Sequence, residues 1–135
     1  MAHQYSVDVR NAQADAFETV TGTSAILKLR TGAPPANCAT ADSGTVVATL
    51  NLPADYLSNA ANGTKSKSGT WEDPAADNPG TIGHFRIYKS DGVTCTMQGT
   101  VTQTGSGGDM TVDNPVAQTG QYIIINTFSF TRGNA

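Results

Sequence analysis

The stretch from Gly83 to Val101 constrains the fold of this chain more than any other segment. It reads GHFRIYKSDGVTCTMQGTV, and apolar residues alternate with polar ones on both sides of Ser90-Asp91-Gly92. Alternation on both sides of an Asp-Gly turn is the strongest short-range signal for a β-hairpin. Each strand of such a hairpin buries one face and exposes the other, so we expect a second apolar layer to pack against it.

Other segments with the same alternation indicate a mostly-β domain. Residues 25–31 and 45–52 are predicted strands; in the second, Val46, Ala48, Leu50 and Leu52 are expected to face the core and Val47 the solvent. Residues 65–71 are a further candidate strand, whereas residues 54–61 favour a short helical turn. Residues 121–131 are predicted to form one central strand, because they are apolar on both faces. Seven or eight short strands separated by Gly, Pro, Asn and Asp predict an antiparallel jelly roll or β-sandwich.

One helix is predicted, over residues 6–21. Ser6 is a suitable N-cap, Asp8 lies at the positive end of the helix dipole, and Gly22 ends the helix. Its apolar stripe is narrow, and Gln13 interrupts it; a helix of this kind needs a surface to lie against. That surface is either its own β-domain or a neighbouring subunit. The stripe consists of Val9, Ala12, Ala16, Phe17 and Val20.

The length of the chain limits the number of domains it can form, and its charge limits the classes of partner it can bind. At 135 residues it is expected to form one structural unit, with residues 1–23 as a helical arm and residues 24–135 as the jelly-roll domain. A net charge of −3 argues against nucleic acid and acidic membranes as partners. The chain contains no apolar run of membrane-spanning length and no signal-peptide core, so we expect synthesis in a cytoplasm.

The two cysteines, Cys38 and Cys95, leave two alternatives open. In a cytosolic protein two free thiols are the default, and Cys95 lies in phase with Met97 and Val101 as a small buried apolar residue would. A disulfide between them is the alternative if the protein later meets an oxidising medium.

We find no residue pattern that predicts catalysis, a metal or a cofactor. His84 lies on a strand with Arg86 and without a nucleophile motif, so an exposed strand histidine is the simpler interpretation. Glu72, Asp73 and Asp77 cluster in one loop, but their spacing does not match that of an EF-hand calcium site. The chain is therefore expected not to be an enzyme.

Exposed aromatic and apolar side chains are the remaining candidates for a binding surface. Aromatic residues on a β-sandwich stack on sugars or anchor protein interfaces, although a single tryptophan equally suits a core. The candidate interface residues are Tyr5, Val9, Phe17, Trp71, Tyr88, Ile123 and Ile125.

The order of segments along the chain resembles that of a known group of viral proteins. The helix VRNAQADAFETVTG leads into LKLRTGAPPANC, and GTVVATLNLP follows. After the hairpin come GGDMTVDN and a closing aromatic strand that ends in GNA. This order is similar to small structural proteins of tailed bacteriophages, some of which resemble capsid cement, or decoration, proteins.

The resemblance implies a jelly-roll domain on the outside of the capsid of a virion assembled in a bacterial host. Its partners would be the major capsid protein and a second copy of the chain, and a dimer would bridge neighbouring capsid subunits and stabilise the shell. The alternative is a fibre, spike or tail component with a carbohydrate-binding β-sandwich. That alternative predicts exposed aromatic residues in a row, for which Trp71 and Tyr88 are the candidates.

Overall fold

The structure, a computed structural model, describes residues 3–133; residues 1, 2, 134 and 135 of the predicted arm and β-domain lie outside this range. The described chain is a mostly-β sandwich with one N-terminal helix, which confirms the predicted fold class. It has more strands than the seven or eight predicted. The elements are α1 (Val7–Thr21), β1 (Ile26–Thr31), β2 (Val46–Asn51), β3 (Thr64–Ser66), β4 (Trp71–Asp73), β5 (Gly80–Tyr88), β6 (Cys95–Gln103), β7 (Met110–Val112), β8 (Val116–Ala117), β9 (Ile123–Ile125) and β10 (Ser129–Thr131).

The ends of α1 lie where the capping residues predict them. The side chain of Ser6 accepts a hydrogen bond from the backbone N–H of Val9 at 3.3 Å. At the other end Gly22 adopts a φ of 78°, a conformation that favours glycine, and its N–H bonds the carbonyl of Glu18.

The main sheet has the strand order β2-β1-β5-β6-β7, and β8 adds a short pairing with the start of β5. The predicted hairpin is its centre: β5 and β6 pair antiparallel, with Phe85 opposite Gly99 and Ile87 opposite Met97. The pairing of β6 with β7 is parallel and is an exception to the antiparallel pattern.

A second layer of two small sheets, β4-β9 and β10-β3, covers one face of the main sheet. The core between the layers is aromatic at its centre, where the ring of Phe128 lies 5.6 Å from that of Trp71 and 5.7 Å from that of Phe85. These distances are typical of packed aromatic pairs. Aliphatic residues of the main sheet complete this core, among them Leu27, Leu29, Leu50, Ile82, Ile87 and Val101.

Strand β5 is buried on both faces, contrary to the expectation that a hairpin strand would expose one. His84, Arg86 and Tyr88 on its outer face are at most 2 % exposed. They are covered by residues 32–45, hereafter the covering loop, which connects β1 to β2. Gly83 allows the loop to start close to β5, since a Cβ at that position would lie 2.4 Å from the carbonyl oxygen of Gly32.

Strand β2 departs from the predicted alternation at Val47, which is buried rather than exposed. Leu29 pairs with Ala48, but the next residue, Arg30, pairs with Val46. Val47 is therefore the extra residue of a β-bulge, and a bulge resets which side chains face the core.

The predicted strand 121–131 is two strands in the structure. Strand β9 pairs only with β4, and β10 pairs with β3, so neither is the predicted central strand. The break at residues 126–128 also resets the alternation, because Ile123, Ile125 and Phe128 are all buried while Tyr122 is 51 % exposed.

The segment from residue 54 to residue 73 also differs from the prediction. No helical turn forms over residues 54–61, although Tyr56 and Leu57 do reach the core as expected. The predicted strand 65–71 is divided between β3 and β4, which pair with different partners.

Candidate functional site

The helix α1 packs on its own β-domain through a face that is largely polar. Ala14 and Thr21 are its buried residues, and the hydroxyl of Thr21 donates to that of Thr96 on β6 at 2.8 Å. The ring of Phe17 packs edge-on against that of Phe130 on β10, with centroids 5.5 Å apart. The helix therefore packs in cis, as one of the two predicted alternatives proposed.

Polar contacts hold the first turns of the helix to the loop before β3. The guanidinium of Arg10 donates to the carbonyl of Asn62 at 2.6 Å and to that of Arg132 at 3.0 Å. The side-chain oxygen of Asn11 accepts from the N–H of Gly63 at 2.8 Å. These bonds fix the rotation of the helix about its axis.

A buried lysine provides the charged part of this contact. Lys65 on β3 is 3 % exposed, and its ammonium lies 2.7 Å from a carboxylate oxygen of Asp15 and 2.8 Å from one of Glu18. Burial by itself would lower the pKa of Lys65, but the bonds to the two carboxylates outweigh it and raise the pKa. Lys65 therefore stays charged and ties the helix to the second layer.

The predicted apolar stripe of the helix faces away from the domain, with the exception of Phe17. Its other four members recur at intervals of three and four residues and so share one helical face. Val9 is 43 % exposed and Val20 is 61 % exposed. Ala16 of this face is about 200° around the axis from the buried Ala14. We call this exposed set, Val9, Ala12, Ala16 and Val20, the outer stripe.

A second concentration of functional groups lies beneath the covering loop. Asp42 of this loop accepts hydrogen bonds from the guanidinium groups of Arg30, at 3.0 Å, and Arg86, and from the hydroxyl of Tyr88 at 2.7 Å. Arg86 also donates to the loop carbonyls of Asn37 and Thr40, both at 2.9 Å. The cluster thus fastens the loop to the sheet.

Two positive charges surround one negative charge in this cluster, and the pKa values of Asp42 and His84 are both lowered. Burial alone would raise the pKa of Asp42, but the bonds from Tyr88 and Arg86 and the charge of Arg30 lower it overall. Burial lowers the pKa of His84, and the charges of Arg30 and Arg86 lower it further. The histidine is therefore neutral near pH 7.

The prediction that His84 is an exposed strand histidine is wrong, because its side chain is fully buried. Its Nδ1 lies 2.9 Å from the carbonyl oxygen of Gly32, so in the neutral ring Nδ1 carries the proton and donates. Its Nε2 and the Nε of the neighbouring Arg30 have no hydrogen-bond partner among the described residues. Strand pairing places these two residues opposite each other.

The two cysteines lie side by side as free thiols. The Cys95 thiol donates to the carbonyl oxygen of Met97 at 3.4 Å, the Cys38 thiol is its neighbour, and both side chains are partly exposed. Burial, together with the Cys38 thiol, raises the pKa of Cys95 to about 12. The structure thus brings together the pair for which the sequence leaves a disulfide open.

The acidic loop uses its carboxylates for local hydrogen bonds. Asp73 accepts from the N–H groups of Thr49, at 2.9 Å, and Ala75, at 3.0 Å; Asp77 accepts from the hydroxyl of Thr49 at 2.7 Å. Glu72 bonds the hydroxyl of Tyr122. Within residues 3–133 no group of three or more His, Cys, Asp or Glu side chains is arranged to hold a metal ion.

The candidate interface residues are divided between the surface and the interior. Tyr5 and Val9 are 49 % and 43 % exposed, and Phe17 is partly buried against Phe130. The other four are at most 5 % exposed, because their strands are covered by the covering loop or by the opposite layer. A partner cannot contact them in this conformation; they are Trp71, Tyr88, Ile123 and Ile125.

The sequence reasoning missed Asp42, Arg30 and Lys65. The alternation in β1 puts Arg30 on the face opposite to the apolar Leu27 and Leu29, and Asp42 is one polar residue among several in its segment. Their roles depend on contacts between residues far apart in the chain, such as the 44 positions that separate Asp42 from Arg86. The sequence contains one weak signal for this cluster. Four basic groups share one sheet face, namely Lys28 and Arg30 on one strand and His84 and Arg86 on the next. Such a face predicts a nearby anion.

Comparisons with known proteins identify no relative. No family model matches the chain, and no match is found among curated proteins or solved structures. Among the described residues, no helix is both long enough and apolar enough to cross a membrane.

Proposed function

We propose that this chain is a non-enzymatic structural protein of a tailed bacteriophage that binds the outside of the capsid. It would bridge subunits of the major capsid protein, as a homodimer, and so stabilise the shell. The resemblance in segment order supports the location in a virion, and the structure supports the choice of contact surface. The single observation that carries the surface is the outer stripe of α1.

The outer stripe has the properties of a contact surface. The helix already has a cis packing face with ion pairs to the buried Lys65, so Val9 and Val20 are not needed to hold it in place. Val9 and Val20 keep much of their apolar area in contact with water, and covering that area with another surface lowers the free energy of the assembly. Between them the small Ala12 and Ala16 let a partner backbone or side chain approach closely.

The size of the stripe favours a repeated assembly. A helix of 15 residues is about 22 Å long, and one such face is much smaller than the roughly 800 Å² per partner of a stable isolated complex. In a shell each copy meets several neighbours, and contacts that are weak singly add through effective concentration. A cement protein is the kind of protein for which a stripe of this size is sufficient.

The carbohydrate-binding alternative loses the residues on which it was based. Trp71 and Tyr88 are fully buried, so they cannot stack on a sugar ring from solvent. No other observation favours that function, and we do not propose it.

The proposal is tested by binding of the purified chain to expanded tailed-phage capsids that lack it. In Val9→Asp/Val20→Asp, two charges would enter the covered surface, and we expect binding to fall at least tenfold. The matched control is Val93→Asp in the β5–β6 turn, where the valine is 76 % exposed and lies outside the helix. It should bind as the unsubstituted chain does.

Two results would contradict the proposal. One is that the unsubstituted chain does not bind such capsids. The other is a count of only a few copies per purified virion, measured by quantitative mass spectrometry against the major capsid protein, since a cement protein should approach one copy per capsid subunit. If the helix variant and Val93→Asp lose binding equally, the outer stripe is not the surface that contacts the capsid.

A further inference from the structure

The covering loop holds Cys38 in a fixed position above β6. Arg86 donates to the carbonyl of Asn37, the residue before Cys38, and Gln98 on β6 donates to the carbonyl of Pro35 at 2.7 Å. The loop is thus bonded to the sheet immediately before this cysteine.

Within this segment the turn around Cys38 is itself hydrogen-bonded. The side-chain oxygen of Asn37 accepts from the N–H groups of Ala39, at 2.9 Å, and Thr40, at 3.1 Å. The backbone on both sides of Cys38 is therefore restrained, which limits the positions that its side chain can take above the sheet.

The neighbour of Cys38 on the sheet is the first residue of β6, Cys95. It pairs with Tyr88, so it lies at the edge of the Asp42 cluster, and the Cys38 thiol is close enough to influence its pKa. Because hydrogen bonds from Arg86 and Gln98 hold the loop on the sheet next to Cys95, side-chain rotation and a small loop shift are enough to bring the two sulfurs to the S–S distance of about 2 Å. Both cysteines are partly exposed, so a small oxidant can reach them.

We propose that Cys38 and Cys95 form an intramolecular disulfide when the protein meets a disulfide oxidant, and that this bond fastens the covering loop to β6. With oxidised glutathione as oxidant, the Cys38 thiolate attacks and releases one glutathione thiolate, leaving a mixed disulfide. The Cys95 thiolate then displaces the second glutathione. The two protein thiols lose two protons and two electrons, and the electrons reduce oxidised glutathione to two glutathione molecules.

The environment of Cys95 sets the order and the pH dependence of these steps. Because the thiolate is the nucleophile and burial, together with the Cys38 thiol, raises the pKa of Cys95 to about 12, only a small fraction of Cys95 is reactive near pH 7. We therefore expect the second step to limit the rate and to accelerate as the pH rises.

The experiment uses the purified, fully reduced chain incubated with oxidised glutathione. We expect the intact mass to fall by two hydrogens, a peptide linking Cys38 to Cys95 after digestion, and a chain that stays monomeric on a non-reducing gel. The bond closes a loop of about 60 residues, so Tm should rise by about 7–15 °C in the oxidised form. Hydrogen exchange of amides 33–44 should slow. Cys38→Ser is the matched control and should show neither the rise in Tm nor the slower amide exchange.

Any of three results would overturn the proposal: thiols that persist at equilibrium, a stable glutathione adduct on either cysteine, or a covalent dimer as the main product. An oxidised form whose amides 33–44 exchange as fast as in the reduced form would overturn the fastening of the loop. The measurements on the unsubstituted chain decide the matter even if Cys38→Ser fails to fold. They are independent of the proposed function, since no capsid is involved.

Discussion

Asp42 is the residue on which the outer face of the main sheet depends. Its carboxylate is the common acceptor for Arg30, Arg86 and Tyr88, and within residues 3–133 no other carboxylate bonds either guanidinium. Removing it would leave the buried Arg30 and Arg86 without a carboxylate; because Asp42 itself is 36 % exposed, we expect a cost below the roughly 3–5 kcal/mol of breaking a fully buried pair. The covering loop is thus held in place by one negative charge and the backbone carbonyls that assist it.

His84 makes this cluster sensitive to pH. Its pKa in the folded chain is below the ordinary value of 6.5, first because it is buried and then because of Arg30 and Arg86. The unfolded chain therefore binds the proton more tightly, and the free energy of unfolding falls as the pH drops below about 6.5, by at most about 1.4 kcal/mol per pH unit. Protonation would add a cation to a face that already carries Lys28, Arg30 and Arg86 against Asp42.

The test is urea unfolding of the chain and of His84→Asn between about pH 7.5 and pH 5. Asparagine retains a donor near the position of Nδ1 but does not titrate. We expect the unsubstituted chain to lose stability over this interval and the variant to lose less. Equal slopes in the two proteins would show that His84 does not cause the dependence. A further loss at lower pH is expected from Asp42, whose lowered pKa stabilises the fold only while it stays ionised.

At the scale of elements, the helix is attached to the sheet through two carboxylates that share one lysine. Asp15 and Glu18 lie 52 % and 27 % exposed, whereas Lys65 between them is buried. Either carboxylate alone still compensates the ammonium. Only the loss of both leaves a buried charge without a partner, so the two contributions should not add.

This predicts the result of a double-mutant cycle. Asp15→Asn and Glu18→Gln should each cost about 1 kcal/mol or less in the free energy of unfolding, and the double variant about 3 kcal/mol. Urea denaturation measures the cost, and hydrogen exchange of amides 7–21 reports whether the helix detaches. Asp55→Asn, at an exposed position, controls for the change in net charge. If the double variant loses no more free energy of unfolding than the two single variants lose together, the shared role of Lys65 would be contradicted.

Elements defined by neighbouring residues were predictable, and those defined by distant contacts were not. The helix has Ser6 and Gly22 as local end signals, and the β5–β6 hairpin has its turn, so both were located correctly. The bulge at Val47 depends on how β2 meets β1, which no local pattern records. Alternation predicted the buried Phe85 and Ile87, but burial of His84 and Arg86 depends on where the covering loop folds.

The candidate surface shows the same division between local and distant information. The sequence located the outer stripe as one helical face, but an apolar stripe normally packs on its own domain. Here the cis contact is made by Arg10, Asn11, Phe17 and the ion pairs of Lys65, and this depends on residues in β3 and β10. Val9 and Val20 could be predicted as apolar contacts, and only the fold shows that their own domain does not use them.

At the scale of the whole molecule, these attachments make the helix and the sandwich one cooperative unit. Phe17 contacts β10, Thr21 contacts β6 and Lys65 joins α1 to β3. We therefore expect one two-state transition in urea, in which Trp71 fluorescence from the core and the amide signals of residues 7–21 have the same midpoint. Removing both carboxylates, in Asp15→Asn/Glu18→Gln, should separate the two probes, with the helix lost first. If the helix signals disappear first in the unsubstituted chain, α1 is an independent arm, and its outer stripe would reach a partner without the sandwich to orient it.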